Sequence, residues 1–180
     1  MLLVRAVLVC VIGALLIALG ILALNRPEMP LCERCDVIVI SAEALGAGTA
    51  MPRLAALAES GIAFDRAYSS APWSVPANAA LLTGYYPWDM RIWDGVDRIP
   101  EGTRTLATRF ATAGYRTALF SNGFAAPEFG FGQGFATTQG SLTTDDDSEL
   151  MSGALAWLEA SESETPSFLF LHTAAIGFPY

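Results

Sequence analysis

A serine at the start of a short helical segment is the first candidate for chemistry. Residues 74–83 read Ser-Val-Pro-Ala-Asn-Ala-Ala-Leu-Leu-Thr, and Pro76 suits a first helical turn because the N–H that it lacks would be unpaired there. Ser74 would lie in the positive field of the free helical N–H groups, where an anion can dock. The position is explained equally by a plain helix N-cap and by a nucleophile that attacks an anionic ester.

Polar side chains also follow three apolar runs that predict buried strands, the first of them rich in β-branched residues. Glu43 follows the first run, Ser121 and Asn122 follow the middle run, and His172, the only histidine, follows the last. Ligands of parallel sheets collect beyond the carboxyl ends of the strands, so these residues predict a polar site at one edge. Two of them also have structural explanations, Glu43 as a solvated loop residue and His172 as a satisfied structural one.

The segment from Ser74 to Pro87 resembles the sulfatase signature, in which Cys or Ser followed by x-Pro-x-Arg leads into Ala-x-Leu-Leu-Thr-Gly-x-x-Pro. The flanking blocks are similar to those of the same family, so the resemblance runs from Asp36 to Tyr180. Those blocks are Met51–Gly61, Phe64–Pro72, Thr105–Ser121, Phe170–His172 and Phe178–Tyr180.

The resemblance implies hydrolysis of sulfate esters with a divalent metal, Ca²⁺ or Mg²⁺. Ser74 takes the place of the nucleophile, His172 that of a catalytic histidine, and Asn78 that of the Arg that binds the substrate. Glu43 and Ser74 take the places of metal ligands. In sulfatases the nucleophile is oxidised to formylglycine, whereas related phosphohydrolases and phosphotransferases use Ser or Thr directly.

Several positions depart from the family pattern. Asn78 cannot clamp ester oxygens as Arg would, a loss on the order of 10²–10³ in rate, and it breaks the pattern for formylglycine conversion. Ala44 stands where many members have a second metal-binding Asp, and Gly177 falls where the family has a second histidine. The chain has no lysine to serve as the catalytic one. A hard cation prefers several oxygen ligands, and Glu43 is the one clear carboxylate.

Three functions therefore stay open. The first is a sulfate-ester hydrolase that is inactive or incomplete as this chain stands. The second is a membrane-anchored pseudoenzyme or binding module, and the third is a phosphodiesterase or phosphotransferase that uses Ser74 directly. Nucleic-acid binding is excluded because the net charge is −8 and the arginines form no cluster.

The elements that must position these residues alternate between apolar strands and amphipathic helices, which predicts parallel βαβ units. The predicted fold is a three-layer α/β/α domain with a mainly parallel sheet, like the N-terminal portion of the alkaline-phosphatase fold. Because only part of a sheet is present, we expect an exposed apolar edge that self-associates or needs a missing C-terminal half. The predicted strands are Asp36–Ser41, Ile62–Tyr68, Arg116–Ser121 and Ser167–Leu171; the predicted helices are Met51–Ser60, Ser74–Thr83, Thr103–Ala113 and Glu149–Ala160.

The N-terminus is a candidate membrane segment. Ala6–Leu24 has no charge and no proline, and a helix of this length spans about 28 Å, close to a bilayer core. A cleaved signal peptide is the alternative. The expected organisation is an anchor or signal at residues 1–26, a linker at 27–35 and a partial domain at 36–180, exported to the periplasm or the extracellular space on a single-pass anchor.

Cys32 and Cys35 form a C-x-x-C at the end of this linker. A zinc site would need a second pair of ligands. A tight disulfide and two unpaired thiols are the structural alternatives.

Overall fold

The computed structural model describes residues 11–15, 35–46, 51–142, 147–160 and 164–174. The chain divides into two compact units, Met1–Glu33 and Arg34–Tyr180. Residues 11–15 are helical, and the rest of the predicted anchor, most of the linker and Cys32 lie outside the described residues. Within the described ranges, every helix is too short or too polar to cross a bilayer. Cys35 is disulfide-bonded, which confirms the disulfide alternative for this residue.

The second unit is built on a sheet of four strands, β1–β4, in the order β1-β4-β2-β3. Every pair is parallel, so the predicted α/β fold with a parallel sheet is confirmed. Strand β3 was not predicted because its three residues are polar and carry no apolar pattern. The strands are Val37–Ala42 (β1), Arg116–Ser121 (β2), Thr137–Gln139 (β3) and Ser167–Thr173 (β4).

Four α-helices accompany the sheet, each within a few residues of its predicted span. The third helix starts later than predicted because Thr105 caps it: the Thr105 side chain accepts from the Thr108 N–H, and the Thr108 hydroxyl accepts from the Thr105 N–H. The helices are Pro52–Glu59 (α1), Ser74–Thr83 (α2), Leu106–Thr112 (α3) and Asp147–Glu159 (α4), with 3₁₀ turns at Pro87–Met90 and Pro127–Phe129.

The predicted strand at Ile62–Tyr68 is wrong. These residues have no strand structure and are exposed. Their apolar and polar residues alternate as in a strand. A strand also needs a neighbouring strand for its backbone hydrogen bonds, and these residues pair with none of the described strands. Phe64 and Tyr68 consequently project from an irregular segment.

The two faces of the sheet hold separate apolar clusters, which makes the fold three-layered. On one face Leu119, Phe168 and Phe170 pack with residues of α2 and α3. On the other face Leu169 and Leu171 pack with Leu150 and Ala154 of α4. Since side chains alternate along a strand, His172 projects to the same face as Phe168 and Phe170, which is the face covered by α2.

Strand β1 is one of the two edge strands of the described sheet, and its side chains on the α4 side of the sheet are exposed. Ile38 is in register with Leu169, and Ile40 with Leu171. The two leucines are buried, but Ile38 is 49% exposed and Ile40 is 64% exposed. The apolar side chains on this face therefore continue from β4, where they are buried, to β1, where they are exposed.

One flank of α4 borders the same uncovered strip. Gly153 faces β3, since a Cβ there would lie 2.7 Å from Oε1 of Gln139. At about 100° per residue, Met151 and Leu155 lie on the flank of α4 opposite Gly153, away from β3, and both are exposed. Ile38, Ile40, Met151 and Leu155 define what we call the open strip.

Candidate active site

Ser74 is the first residue of α2, and it is not the N-cap that its position in the sequence also allowed. Trp73, in an extended conformation, precedes the helix as N-cap without a side-chain capping bond. The Ser74 hydroxyl instead donates a 2.5 Å hydrogen bond to Oε1 of Glu43. The serine oxygen thus lies at a helix N-terminus, where a negative charge is favoured, and beside a carboxylate that can accept its proton.

Glu43 is held by the turn that follows β1. Its N–H donates to the carbonyl of Thr173 at 2.9 Å, which ties the turn to the end of β4. Ala44 has φ of +58°, an unusual left-handed conformation for a residue with a side chain. The turn directs the carboxylate toward Ser74 and His172. Glu43 and His172 therefore meet at one sheet edge as the sequence predicts, and Ser74, which that prediction did not include, joins them.

His172 is fully buried behind the carboxylate. Its Nδ1 lies 3.4 Å from the Ser41 hydroxyl, and its Nε2 lies 3.7 Å from Oε2 of Glu43 without a hydrogen-bond partner. Burial lowers the pKa of His172 from its ordinary value of 6.5, against smaller opposing effects of Glu43 and Ser41. The imidazole is therefore neutral near pH 7, with one nitrogen directed at Glu43.

Asn78 lies in the cavity wall, and both ends of its amide are engaged within the protein. The side chain is only 6% exposed. Its Oδ1 accepts a 2.8 Å hydrogen bond from the Ser41 hydroxyl, and its Nδ2 donates at 2.9 Å to the backbone carbonyl of Ser74. The amide therefore joins β1 to the first turn of α2. Its contact with a substrate stays a prediction.

Asn122 and Ser121 do not join the Ser74 group. Asn122 donates to Asp147 at the start of α4 and accepts a 2.8 Å hydrogen bond from the N–H of Ala174. Thr173 also donates to Asp147, at 2.8 Å. These contacts join α4 to the carboxyl ends of β2 and β4. Ser121 is buried and its hydroxyl lacks a partner.

Two residues that support the site were missed in the sequence. Ser41 contacts both Asn78 and His172, and a polar residue that ends an apolar strand was its one signal. Gly123 has φ of +85°, and a Cβ there would lie 3.0 Å from Cβ of Ala174 and 3.7 Å from Nε2 of His172. Its signal was the Asn-Gly pair directly after a strand.

A cavity of about 780 Å³ opens above Ser74. Glu43 is the one residue with a formal charge at neutral pH among the described residues that line it. Four aromatic residues form much of its wall: Tyr68, Trp73, Tyr85 and Tyr86. The site therefore combines a nucleophile-carboxylate pair with aromatic walls and no cationic side chain from the described part of the chain.

The Sulfatase family model matches residues 36–176. The chain belongs to the sulfatase family. Its sequence is 36% identical to the Extracellular sulfatase SULF-1 homolog of Drosophila melanogaster over 84 residues, which are 42% of this chain and 8% of that protein. It is 35% identical to the Choline-sulfatase of Rhizobium meliloti (strain 1021) over 68 residues, which are 38% of this chain and 13% of that protein.

Solved structures agree on the fold of this sulfatase-family chain. BT1596, a 2-O GAG sulfatase, superposes with a TM-score of 0.59 at 23% identity over 77% of this chain. BT4656, solved in complex with its substrate D-glucosamine-2-N,6-O-disulfate, superposes with a TM-score of 0.66 at 18% identity over 78% of this chain. The match covers 34% of each solved protein, so this chain spans about a third of their length.

Sulfatases usually use a metal ion, and the structure shows no metal site among the described residues. No group of three or more His, Cys, Asp or Glu side chains converges among them. Glu43 and the Ser74 hydroxyl offer oxygen, and His172 offers one buried nitrogen, whereas a hard cation such as Ca²⁺ takes about six to eight oxygens. Metal ligation by Glu43 and Ser74 stays a prediction.

Proposed function

We propose that this sulfatase-family chain keeps the frame of a sulfate-ester site and has lost its chemistry, so that its cavity binds a ligand without hydrolysing it. The observation that carries the proposal concerns Asn78, which stands where the family has a cationic Arg. Both ends of its amide form hydrogen bonds within the protein, with Ser41 and with the Ser74 carbonyl. A sulfate ester is an anion, and the carboxylate of Glu43 would repel it.

The ancestral reaction that we propose is hydrolysis of a sulfate ester with a divalent metal. In that reaction the Ser74 oxygen would attack the sulfur while Glu43 takes the hydroxyl proton, and the bond from sulfur to the alcohol oxygen would break as Glu43 passes the proton to that oxygen. Water would then displace the sulfuryl group from Ser74 as sulfate, and the proton that the water loses would return Ser74 to its hydroxyl form. The 2.5 Å bond between the two side chains and the helix N-terminus support this assignment of roles. The charge that develops on the sulfuryl oxygens has no positive partner among the described lining residues, which is why we propose that the step no longer occurs.

The test is turnover by the purified 180-residue chain in detergent. We expect no hydrolysis of aryl sulfates or aryl phosphates with added Ca²⁺ or Mg²⁺ beyond that of the matched Ser74→Ala variant. Turnover that is lost in Ser74→Ala would show that the site is active and would refute the proposal.

A phosphodiesterase or phosphotransferase activity is the second candidate, and the short Ser74–Glu43 hydrogen bond favours it. A serine beside a carboxylate base can act as a nucleophile without oxidation to formylglycine. Such an enzyme would carry a phosphoryl group on Ser74 during turnover. Mass spectrometry after incubation with an aryl phosphodiester distinguishes the two functions, because this candidate requires a Ser74 adduct in the native chain, made of the phosphoryl group with its remaining ester substituent, and requires the absence of that adduct from Glu43→Gln.

We also propose that Ala6–Leu24 is retained as a single-pass anchor that holds an exported domain in the periplasm or extracellular space. The support is the uncharged length of this segment. The full-length protein should fractionate with membranes, resist carbonate extraction and keep its N-terminus. A carbonate-soluble product that starts near Leu24 would identify a cleaved signal peptide instead.

A further inference from the structure

The aromatic side chains of the cavity present exposed ring surface in the same cavity as the carboxylate of Glu43. Trp73 directly precedes Ser74, and its side chain is 62% exposed although it lines the cavity. Tyr68, Tyr85 and Tyr86 are likewise exposed lining residues. Tyr86 stacks on Trp88 with ring centroids 4.4 Å apart and planes 7° apart, so a neighbour supports the orientation of its ring. Exposed aromatic faces at a cavity are suited to stacking and to cation–π contacts.

The charge of the cavity has one sign. The Ser74 hydroxyl donates a hydrogen bond to Oε1 of Glu43, and Oε2 of Glu43 lies 3.7 Å from Nε2 of the buried His172. No arginine is among the described lining residues, and the chain has no lysine. An anion would enter against this charge, and a cation would be attracted by it.

Several polar side chains of the wall already have partners inside the protein. Ser41 donates to Asn78, Asn78 donates to the Ser74 carbonyl, and Ser69 donates to the Ala71 carbonyl. A neutral ligand with many hydroxyl groups, such as a sugar, would find these donor hydrogens of Ser41, Asn78 and Ser69 already engaged. A cation with an apolar surface needs only the carboxylate and the rings.

We propose that this cavity binds an organic cation of the quaternary or alkylated ammonium class, with the positive charge near Glu43 and its alkyl groups against the rings of Trp73, Tyr68 and Tyr86. The inference rests on the proposed function in one respect, the lack of a clamp for ester oxygens. The negative π faces of the rings attract the cation, and the negative charge of Glu43 attracts it further. A volume of about 780 Å³ leaves space for a larger substituent on the nitrogen.

The experiment is a titration of the full-length chain in detergent with EDTA, followed by isothermal titration calorimetry. The probes are tetramethylammonium, the uncharged 2,2-dimethylpropan-1-ol of similar shape, and inorganic sulfate. We expect saturable binding of tetramethylammonium that is at least about fivefold tighter than binding of the alcohol, and no binding of sulfate. Trp73→Leu and Glu43→Gln should each weaken tetramethylammonium binding by at least about threefold.

Matched controls separate the site from general effects. Trp93 is 67% exposed and Glu101 is exposed, and neither lines the cavity, so Trp93→Leu and Glu101→Gln should leave binding unchanged. Circular dichroism checks that each variant is folded, and if Glu43→Gln unfolds, Trp73→Leu decides.

Equal affinity for the alcohol, tighter binding of sulfate, or an equal loss in the control variants would each overturn the inference. These outcomes are independent of the turnover assay. Hydrolysis of an aryl sulfate would overturn the proposed function, while the titration alone decides whether the cavity takes an organic cation.

Discussion

Ser74 and Glu43, which are 31 residues apart in the chain, are joined by a 2.5 Å hydrogen bond from the serine hydroxyl to Oε1 of the carboxylate. The bond links the turn after β1 to the first turn of α2. It also explains why Ser74 does not cap its helix, since its hydroxyl is directed at Glu43. In this pair Glu43 can take the proton of Ser74, and the bond also holds the turn after β1 against α2.

Ser74 should remain an unmodified serine. Asn78 breaks the Cys/Ser-x-Pro-x-Arg pattern of formylglycine conversion, and its amide is bonded to Ser41 and to the Ser74 carbonyl. Trypsin releases residues 67–91 as one peptide, and its mass should match the unmodified sequence. A mass lower by two hydrogen atoms, localised to Ser74 by fragmentation, would refute this prediction.

Asn78 should contribute to stability because its amide joins β1 to α2. Asn78→Ala removes hydrogen bonds to the Ser41 hydroxyl and to the Ser74 carbonyl. Loss of these partners in a buried position should lower the free energy of unfolding by about 1–3 kcal/mol, measured by urea denaturation. The control Thr112→Ala changes an exposed residue and should stay within about 0.5 kcal/mol of the native chain. Equal stability of both variants would mean that the amide bonds contribute nothing.

The pH dependence of stability should include a contribution from His172. Burial holds its pKa below the ordinary value of 6.5, so the unfolded chain binds more protons than the folded chain in the window beneath that value. The free energy of unfolding should therefore be highest above about pH 6.5 and should fall as the pH drops through 6.5 toward the folded pKa. Urea titrations at several pH values with EDTA measure this slope.

The single histidine of the chain makes the pH test specific. His172→Gln cannot titrate, so the part of the slope just below pH 6.5 should disappear in this variant. A slope that persists unchanged in His172→Gln would assign the effect to carboxylates and would contradict the prediction.

The open strip should promote self-association. Ile38 and Ile40 on the edge strand β1 and Met151 and Leu155 on α4 are exposed apolar side chains, and an uncovered edge strand favours pairing with another copy. Sedimentation velocity should show dimers or larger species whose fraction rises with protein concentration. The double variant Ile38→Thr/Ile40→Thr should reduce that fraction and the binding of a hydrophobic dye.

A matched substitution separates the strip from general surface hydrophobicity. Val96 is 72% exposed and lies outside the open strip, so Val96→Thr should leave association and dye binding as they are. Association that is equal in both variants would assign it to another surface, and a monomer at every concentration would contradict the prediction.

Local patterns in the sequence determined most of the frame of this protein. The runs at Asp36–Ser41, Arg116–Ser121 and Ser167–Leu171 each form a strand because a short apolar segment is stable when it is paired and packed between neighbours. The Ser74–Thr83 helix has the predicted ends because proline in its first turn and Gly84 after it are local signals. The sulfatase signature also lies in one continuous stretch, so the family could be inferred before the fold was known.

Tertiary structure alone decided what those residues do. The alternating residues Ile62–Tyr68 found no strand to pair with, whereas the polar residues Thr137–Gln139 did, because pairing depends on which segment lies alongside. The amide of Asn78 accepts a hydrogen bond from Ser41, 37 residues earlier in the chain. Glu43 likewise accepts a hydrogen bond from Ser74, 31 residues later in the chain. Hydrogen bonds between distant segments leave no local pattern, and neither does a cavity wall that collects aromatic residues from separate loops.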